Sequence, residues 1–402
     1  MLTKRQLVFL VSALFLAQFV YIFDAILILP LGPALMKEFN LKASLLATLV
    51  TSYSFSASIF SLLCSFFIGR FDKRKLFIVS LLGFILGNII CIISHEYVLF
   101  TLGRIISGGF GGIFNIALLF LITTYVKENT RGRVLGIIMS AFSVVTTFGV
   151  PLGVYLSNLM TWKIVFTLLV SLTLLVFIFS TILLFKKAYE NKAVYEKRPF
   201  KIEFKKEYIL ALVLNFFTIL GGITVTPFVN PYYIFNLGMS VHDLPLMFLI
   251  SGACTIIMTQ LFGFLSDKVN AYSVFIVTVL LNIVSVFIMT NYVNSFHSFA
   301  FIIFVNTLFT IFISVRFVPA MTFISKIPTK ESRDVFFSYF SVIQNFSIGF
   351  AAIFGGLFIT TQKDFSIKGF DNLGYIACLF NLISIILVFY LKSYLKRKKS
   401  LS

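Results

Sequence analysis

Asp24 is the one acidic residue well inside a long apolar run of this 402-residue chain. A carboxyl group in an apolar medium has a narrow choice of chemistry. Where such a run crosses a bilayer, a charge costs at least about 2.5–3.5 kcal/mol, so it marks an ion path or a paired site. Desolvation favours the neutral acid and a neighbouring cation favours the anion. An acid that meets both environments in turn can take up and release a proton. The competing reading is an acid that snorkels to an interface, because Asp24 lies about 17 residues, or ~25 Å, into its run.

Two cations share this setting. Arg104 lies about 7 residues, or ~10 Å, into the fourth apolar run. On a ~30 Å hydrocarbon core that depth is within several Å of Asp24, so a charge pair is geometrically open. Arg104 then serves coupling, substrate contact or a structural ion pair. Arg316, in the tenth run, either binds an anionic substrate group or bonds backbone carbonyls structurally. The four cysteines (Cys64, Cys91, Cys254, Cys378) lie in apolar runs without paired spacing. The three histidines (His95, His242, His297) lie in loops or at helix ends. Neither set has metal-ligand spacing, so no metal, cofactor or disulfide framework is expected.

Uncharged candidates surround these. Arg104, Gly108 and Asn115 share a helix face, since 11 residues make about three turns. Gly108, Gly109, Gly111 and Gly112 allow close helix approach. The seventh run reads Thr224-Val225-Thr226-Pro227-Phe228-Val229-Asn230-Pro231-Tyr232-Tyr233. Its prolines free carbonyls, tolerable only where neighbours or a cavity satisfy them. We expect a broken, gate-like helix with Asn230 and Tyr232 as cavity residues, against a simple kink. Gln344 and Asn345 in the eleventh run are similar candidates. Gly149, Pro151 and Gly153 read as a bend and packing device.

The elements that position these residues follow from composition. Apolar residues make up 59% of the chain, charged residues only 12%, and 52 residues are Phe. A soluble domain cannot hide that much apolar side chain behind so little charge. Disorder is excluded, because it needs low hydrophobicity. Twelve runs reach spanning length, at roughly 7–35, 44–68, 75–93, 97–126, 133–157, 162–186, 208–235, 243–265, 271–290, 298–325, 335–360 and 372–391. The expected fold is an all-α integral membrane protein of twelve transmembrane helices. The first run is too long for a cleaved signal peptide and continues into Pro30-Leu31-Gly32-Pro33.

Net charge is +18, which invites a nucleic-acid reading. The positions of the charges dispose of it. With the N-terminus inside, 26 of the 33 basic residues fall in cytosolic segments, eight of them from Lys186 to Lys206 and five in the tail from Lys392. External loops hold five (Lys37, Lys42, Lys163, Lys363, Lys368). By the positive-inside rule both termini are cytosolic; the expected site of residence is the plasma (cytoplasmic or inner) membrane. No nucleic-acid partner is needed; lipid headgroups are the partner a basic tail finds.

The stretch 187–207 is the only long polar break. It divides the chain into a first six-helix bundle (1–187), a linker (188–207) and a second bundle with a basic tail (208–402). The halves echo one another. Aligning Arg131 with Arg333 without gaps brings Gly153 onto Gly355. Gly69-Arg70-Phe71-Asp72-Lys73-Arg74-Lys75, after the second run, is echoed by Gly263 and Asp267 with Lys268 after the eighth. Two pseudo-symmetric six-helix halves are the architecture of many secondary transporters.

With these residues in view, the chain resembles the major facilitator superfamily over essentially its whole length. Within it, the chain is similar to the twelve-span drug:proton antiporters of sugar- and arabinose-efflux type. Gly69 to Lys75 lies where the family's loop 2–3 signature lies, and Arg104-Ile105-Ile106-Ser107-Gly108 resembles its fourth-span signature. Gly149-Val150-Pro151-Leu152-Gly153 resembles the fifth-span antiporter motif, and Trp162-Lys163 with Phe166 opens the sixth span as in that branch. The loop signature departs from the pattern: matching the basic tail puts Ser65 at its glycine and Gly69 at its aspartate. The second copy, Gly263 and Asp267, has the expected spacing. The resemblance implies that Gly69, Arg70, Asp72, Arg74, Gly263 and Asp267 help lock one access state. It also agrees with a proton-coupling acid in the first span.

The leading reading is a proton-coupled exporter of a small organic molecule, a drug, sugar or metabolite, monomeric in the bilayer. An uptake symporter for a metabolite on the same fold is the alternative. An integral-membrane enzyme would need clustered His, Asp, Glu or Cys at one level, which this sequence lacks.

Overall fold

The computed structural model describes residues 3–67, 71–186, 205–293, 298–329 and 332–401. Among them, twelve helical spans are long and apolar enough to cross a bilayer. In chain order these are Arg5–Glu38, Ala43–Phe66, Lys73–Ile93, Tyr97–Tyr125, Arg133–Leu159, Trp162–Leu184, Lys206–Phe235, Val241–Lys268, Ala271–Asn291, Phe299–Ile324, Val335–Gly356 and Phe370–Lys398. They coincide with the twelve apolar runs apart from a few residues at the ends. The final helix continues to Leu401.

Two compact units form, Met1–Leu31 with Ser52–Phe200 and Gly32–Thr51 with Lys201–Ser402. The second takes in the segment joining spans one and two. There the Ala43 amide donates to Thr361 Oγ1 at 2.8 Å, and the Thr51 hydroxyl donates to the Gly349 carbonyl at 2.9 Å. Most of the polar stretch 188–207 lies outside the described residues, as do Gly69 and Arg70.

Three spans are interrupted, and each carries a proline four residues beyond a freed carbonyl; span five also breaks at Ser140, where no proline follows within ten residues. Proline has no N–H to donate, and its ring crowds the carbonyl at i−4. Pro151 releases Thr147, which lies in a π-helical turn, Val145–Gly149. Pro227 releases Ile223, and span seven breaks there into Lys206–Ile223 and Thr226–Phe235. Pro319 releases Val315, and span ten breaks at Arg316 between Phe299–Val315 and Phe317–Ile324. The break in span ten is absent from the sequence reading, although Pro319 is its signal.

The halves also match at the start of spans three and nine, each 21 residues long. Asp72 caps the first by accepting from the Arg74 amide at 2.9 Å, and Asn270 caps the second by accepting from the Tyr272 amide at 3.0 Å. Asp72 also holds the Arg74 guanidinium at 2.9 Å, which in turn donates to the Leu184 carbonyl at the end of span six at 3.4 Å. Partial burial pushes the Asp72 carboxyl up, but its bonds to Arg74 outweigh that and hold it below the usual carboxylate range. Its stabilisation is therefore complete at neutral pH and is lost as pH falls through that lowered value. Asn270→Ala is expected to cost about 1 kcal/mol of stability, as for an ordinary cap. Asp72→Ala should cost more, because it also frees Arg74. Thermal unfolding of the purified variants checks both; equal losses would remove the Arg74 contribution.

Aromatic pairs bind the spans of each unit. Phe100 in span four meets Trp162 and Phe166 of span six at 5.4 and 5.6 Å, and Phe77 of span three meets Phe114 at 5.1 Å. In the second unit Tyr208, Phe275, Phe323, Phe336 and Phe340 share one buried cluster. A short antiparallel hairpin, Thr360–Thr361 with Ile367–Lys368, adds the only strands among the described residues. Asn236 holds it, its amide donating to the Ile367 carbonyl at 2.9 Å and accepting from the Ile367 amide at 2.8 Å.

Candidate functional site

Span four carries the first charge and packs tightly enough to position it. A Cβ at Gly108 would lie 2.3 Å from the Tyr53 carbonyl, and one at Gly112 would lie 2.3 Å from the Ala57 carbonyl. Without side chains at these two positions, the backbones of spans two and four come into contact. The ring of Tyr53 is thereby delivered to the Arg104 guanidinium, 4.2 Å from ring centroid to Cζ.

Arg104 and Asp24 are both fully buried. Arg104 Nη1 donates to Asp24 Oδ1 at 2.5 Å, and its Nη2 donates to the Asp24 backbone carbonyl at 3.3 Å. The second carboxylate oxygen, Oδ2, has no hydrogen-bond partner, and neither does Arg104 Nε. Tyr53 and Asn88 are close enough to act on the carboxylate. The Tyr53 hydroxyl and Asn88 Oδ1 are themselves buried without a hydrogen bond. The pair is thus cushioned by an aromatic face and bonded through the Asp24 backbone carbonyl and one of its two carboxylate oxygens. Sequence reasoning missed Tyr53 and Asn88. Asn88, the lone amide of span three, was a usable signal; Tyr53 gave none.

Gly149 and Gly153 face span one beside the acid. A Cβ at Gly153 would lie 3.1 Å from Val165 and 3.3 Å from Phe23, and one at Gly149 would lie 3.4 Å from Phe23. The π-turn, Pro151 and these glycines therefore bring span five against the helix that carries Asp24. Asn115 is half-buried farther along span four.

The second charge is Arg316, fully buried in span ten at its break. Its Nη1 donates to Asn381 Oδ1 of span twelve at 2.6 Å, and its Nε donates to the Ile313 carbonyl at 3.3 Å. Asn381 Nδ2 donates to the Gly221 carbonyl of span seven at 2.6 Å. Asn282 Nδ2 of span nine donates to the same Gly221 carbonyl and to Asn381 Oδ1, both at 3.2 Å. Sequence reasoning missed Asn282 and Asn381.

The remaining candidates lie in spans seven, eight and eleven. Asn230 and Tyr232 are buried beyond the break of span seven, and Tyr232 stacks on Phe370 at 4.1 Å. Gln344 is exposed and Asn345 half-buried. Gly263 is half-buried, and Asp267 is exposed in the last turn of its helix.

The sequence matches the model of the Major Facilitator Superfamily over residues 14–233 and 211–402. The chain belongs to that superfamily. It is 30% identical over 140 residues to the uncharacterized MFS-type transporter YwfA of Bacillus subtilis (strain 168), covering 35% of this chain and 34% of that one. It is 23% identical over 229 residues to a probable sugar efflux transporter of Mannheimia succiniciproducens, 56% of this chain and 57% of that one. The chain spans between about a third and just over half of the length of the first curated relatives it matches. Solved structures share the fold over nearly the full length. A bacterial homolog of the human lysosomal transporter Spinster, inward-facing and occupied, has a TM-score of 0.77 at 15% identity, covering 98% of both chains. The D-xylose–proton symporter has a TM-score of 0.76 at 14% identity, covering 96% of this chain and 97% of that one. These proteins are transporters and not enzymes.

Proposed function

We propose that this superfamily member is a monomeric secondary transporter of the plasma membrane that exports a small organic molecule in exchange for protons. The observation that carries the reading is the fully buried Asp24–Arg104 pair with its one unbonded carboxylate oxygen. Protonating Asp24 removes the anion that Arg104 neutralises, so proton and substrate each favour the state in which they bind better. Coupling needs no more than that difference in affinity between two access states. Both termini are cytosolic in this reading, from the distribution of basic residues. Export follows from the fifth-span resemblance and from the sugar efflux relatives. Proton-coupled uptake is the second reading, favoured by the fold shared with the D-xylose–proton symporter.

The test is uphill efflux of ethidium from energised cells lacking their own exporters. Efflux that stops when an uncoupler collapses the proton gradient is the expected result. Efflux that survives the uncoupler would overturn proton coupling. Gradient-dependent accumulation of the dye would reverse the direction.

A further inference from the structure

The two buried cations are treated differently. Arg104 has the Asp24 carboxylate against it, whereas Arg316 has no carboxylate partner among the described residues. The sequence supplies none at that depth. Acids of the second half lie at helix ends or in loops, as Glu207, Asp243, Asp267, Asp334, Asp364 and Asp371 do. Arg316 Nη1 and Asn282 Nδ2 converge on one oxygen, Asn381 Oδ1, at 2.6 and 3.2 Å. Beside that shared oxygen two fully buried groups have no hydrogen bond: the donor Arg316 Nη2 and the acceptor Asn282 Oδ1. Asn381 and Asn282 lie about 11 residues, or ~16 Å, inside their spans, near the middle of a ~30 Å core.

We propose that Arg316, Asn282 and Asn381 form a binding site for a small hydroxy-carboxylate. The orphaned donor carries one positive charge and takes a carboxylate oxygen. The orphaned acceptor takes a hydroxyl hydrogen of the same molecule. Charge decides between anions. A monoanion neutralises Arg316, whereas a dianionic phosphate would leave a net negative charge buried, which is as costly as the one it replaces. A halide satisfies the donor and leaves Asn282 unpaired, so the hydroxyl distinguishes the ligand from chloride. Gly222 packs against this donor, since a Cβ there would lie 2.6 Å from Nη2. The site stands independently of the dye export above, and a carboxylate held here need not be the exported molecule. The site itself is tested without transport, so the two can fail separately.

The experiment is thermal unfolding of the purified full chain in lipid nanodiscs with lactate, gluconate, acetate, glucose and chloride at matched ionic strength. A ligand that binds only the folded protein raises its midpoint. At least one of lactate and gluconate is expected to raise it by about 2 °C or more over chloride. Acetate should give a smaller rise and glucose none. Arg316→Gln should abolish the response and Arg316→Lys keep part of it. Should Arg316→Gln fail to fold, Asn381→Asp is the second arm. It sets a carboxylate on the guanidinium in place of the ligand's and should remove the response without removing Arg316. No rise with either hydroxy acid, or an equal rise in the variants, would overturn the proposal. Acetate matching lactate would overturn the role of Asn282.

Discussion

Asp24→Asn is expected to yield a folded transporter that no longer works uphill. The amide keeps an oxygen where Oδ1 accepts from Arg104 at 2.5 Å, so the geometry of the pair has a substitute. What it lacks is a site for a proton. Ethidium export against its gradient should fall to background, while downhill equilibration remains. Asp24→Ala should behave differently. It leaves the Arg104 guanidinium buried without an anion, and breaking a buried pair by removing one partner costs about 3–5 kcal/mol. That variant should be depleted from the membrane, and Asp24→Ala with Arg104→Leu should recover protein without recovering export. Fluorescence-detected size exclusion gives the amount of folded protein and the dye assay gives transport. Uphill export by Asp24→Asn at the wild-type level would remove Asp24 from the coupling role.

The second large effect is expected at Gly108. Its Cβ position falls 2.3 Å from a backbone carbonyl, which cannot swing aside as a side-chain end can. Gly108→Ala must push spans two and four apart by roughly an ångström. Overpacking of this kind costs about 1–3 kcal/mol. The displacement also draws the Tyr53 ring away from Arg104, so coupling should suffer in the protein that remains. Gly108→Leu should abolish accumulation. Gly136→Ala is the control, since nothing lies within 4 Å of a Cβ there. Equal tolerance at Gly108 and Gly136 would sink the close-approach account.

Much of this fold is legible in the sequence, because its solvent is lipid. The bilayer imposes span length, and span length is written directly in the apolar runs. Asp24 and Arg104 stand out for the same reason: few charges survive at that depth, and equal depth is a one-dimensional quantity. Partners that are neither charged nor regularly spaced leave at most a faint mark, such as the lone amide Asn88 in span three, and Tyr53 leaves none. Asn381 and Arg316 are 65 residues apart, and only packing of spans seven, nine, ten and twelve makes Asn381 and Asn282 matter. The hairpin at Thr360–Lys368 has strands of two residues each, too short for any periodicity. Proline position was the missed opportunity. The rule that explains the π-turn of span five and the break of span seven applies without change to Pro319.

The imbalance between the two buried arginines has an electrical side. Voltage across a membrane does work on net charge at about 2.3 kcal/mol per elementary charge per 100 mV for the full drop. Displacement of a neutral Asp24–Arg104 pair does almost no such work. Displacement of Arg316 through a tenth of the drop is worth about 0.2 kcal/mol at 100 mV, by the same scale. With Asp24 ionised and the Arg316 site empty, Arg316 is therefore, among the described residues, the buried charge without a buried countercharge on which voltage does work, and a bound monoanion cancels it.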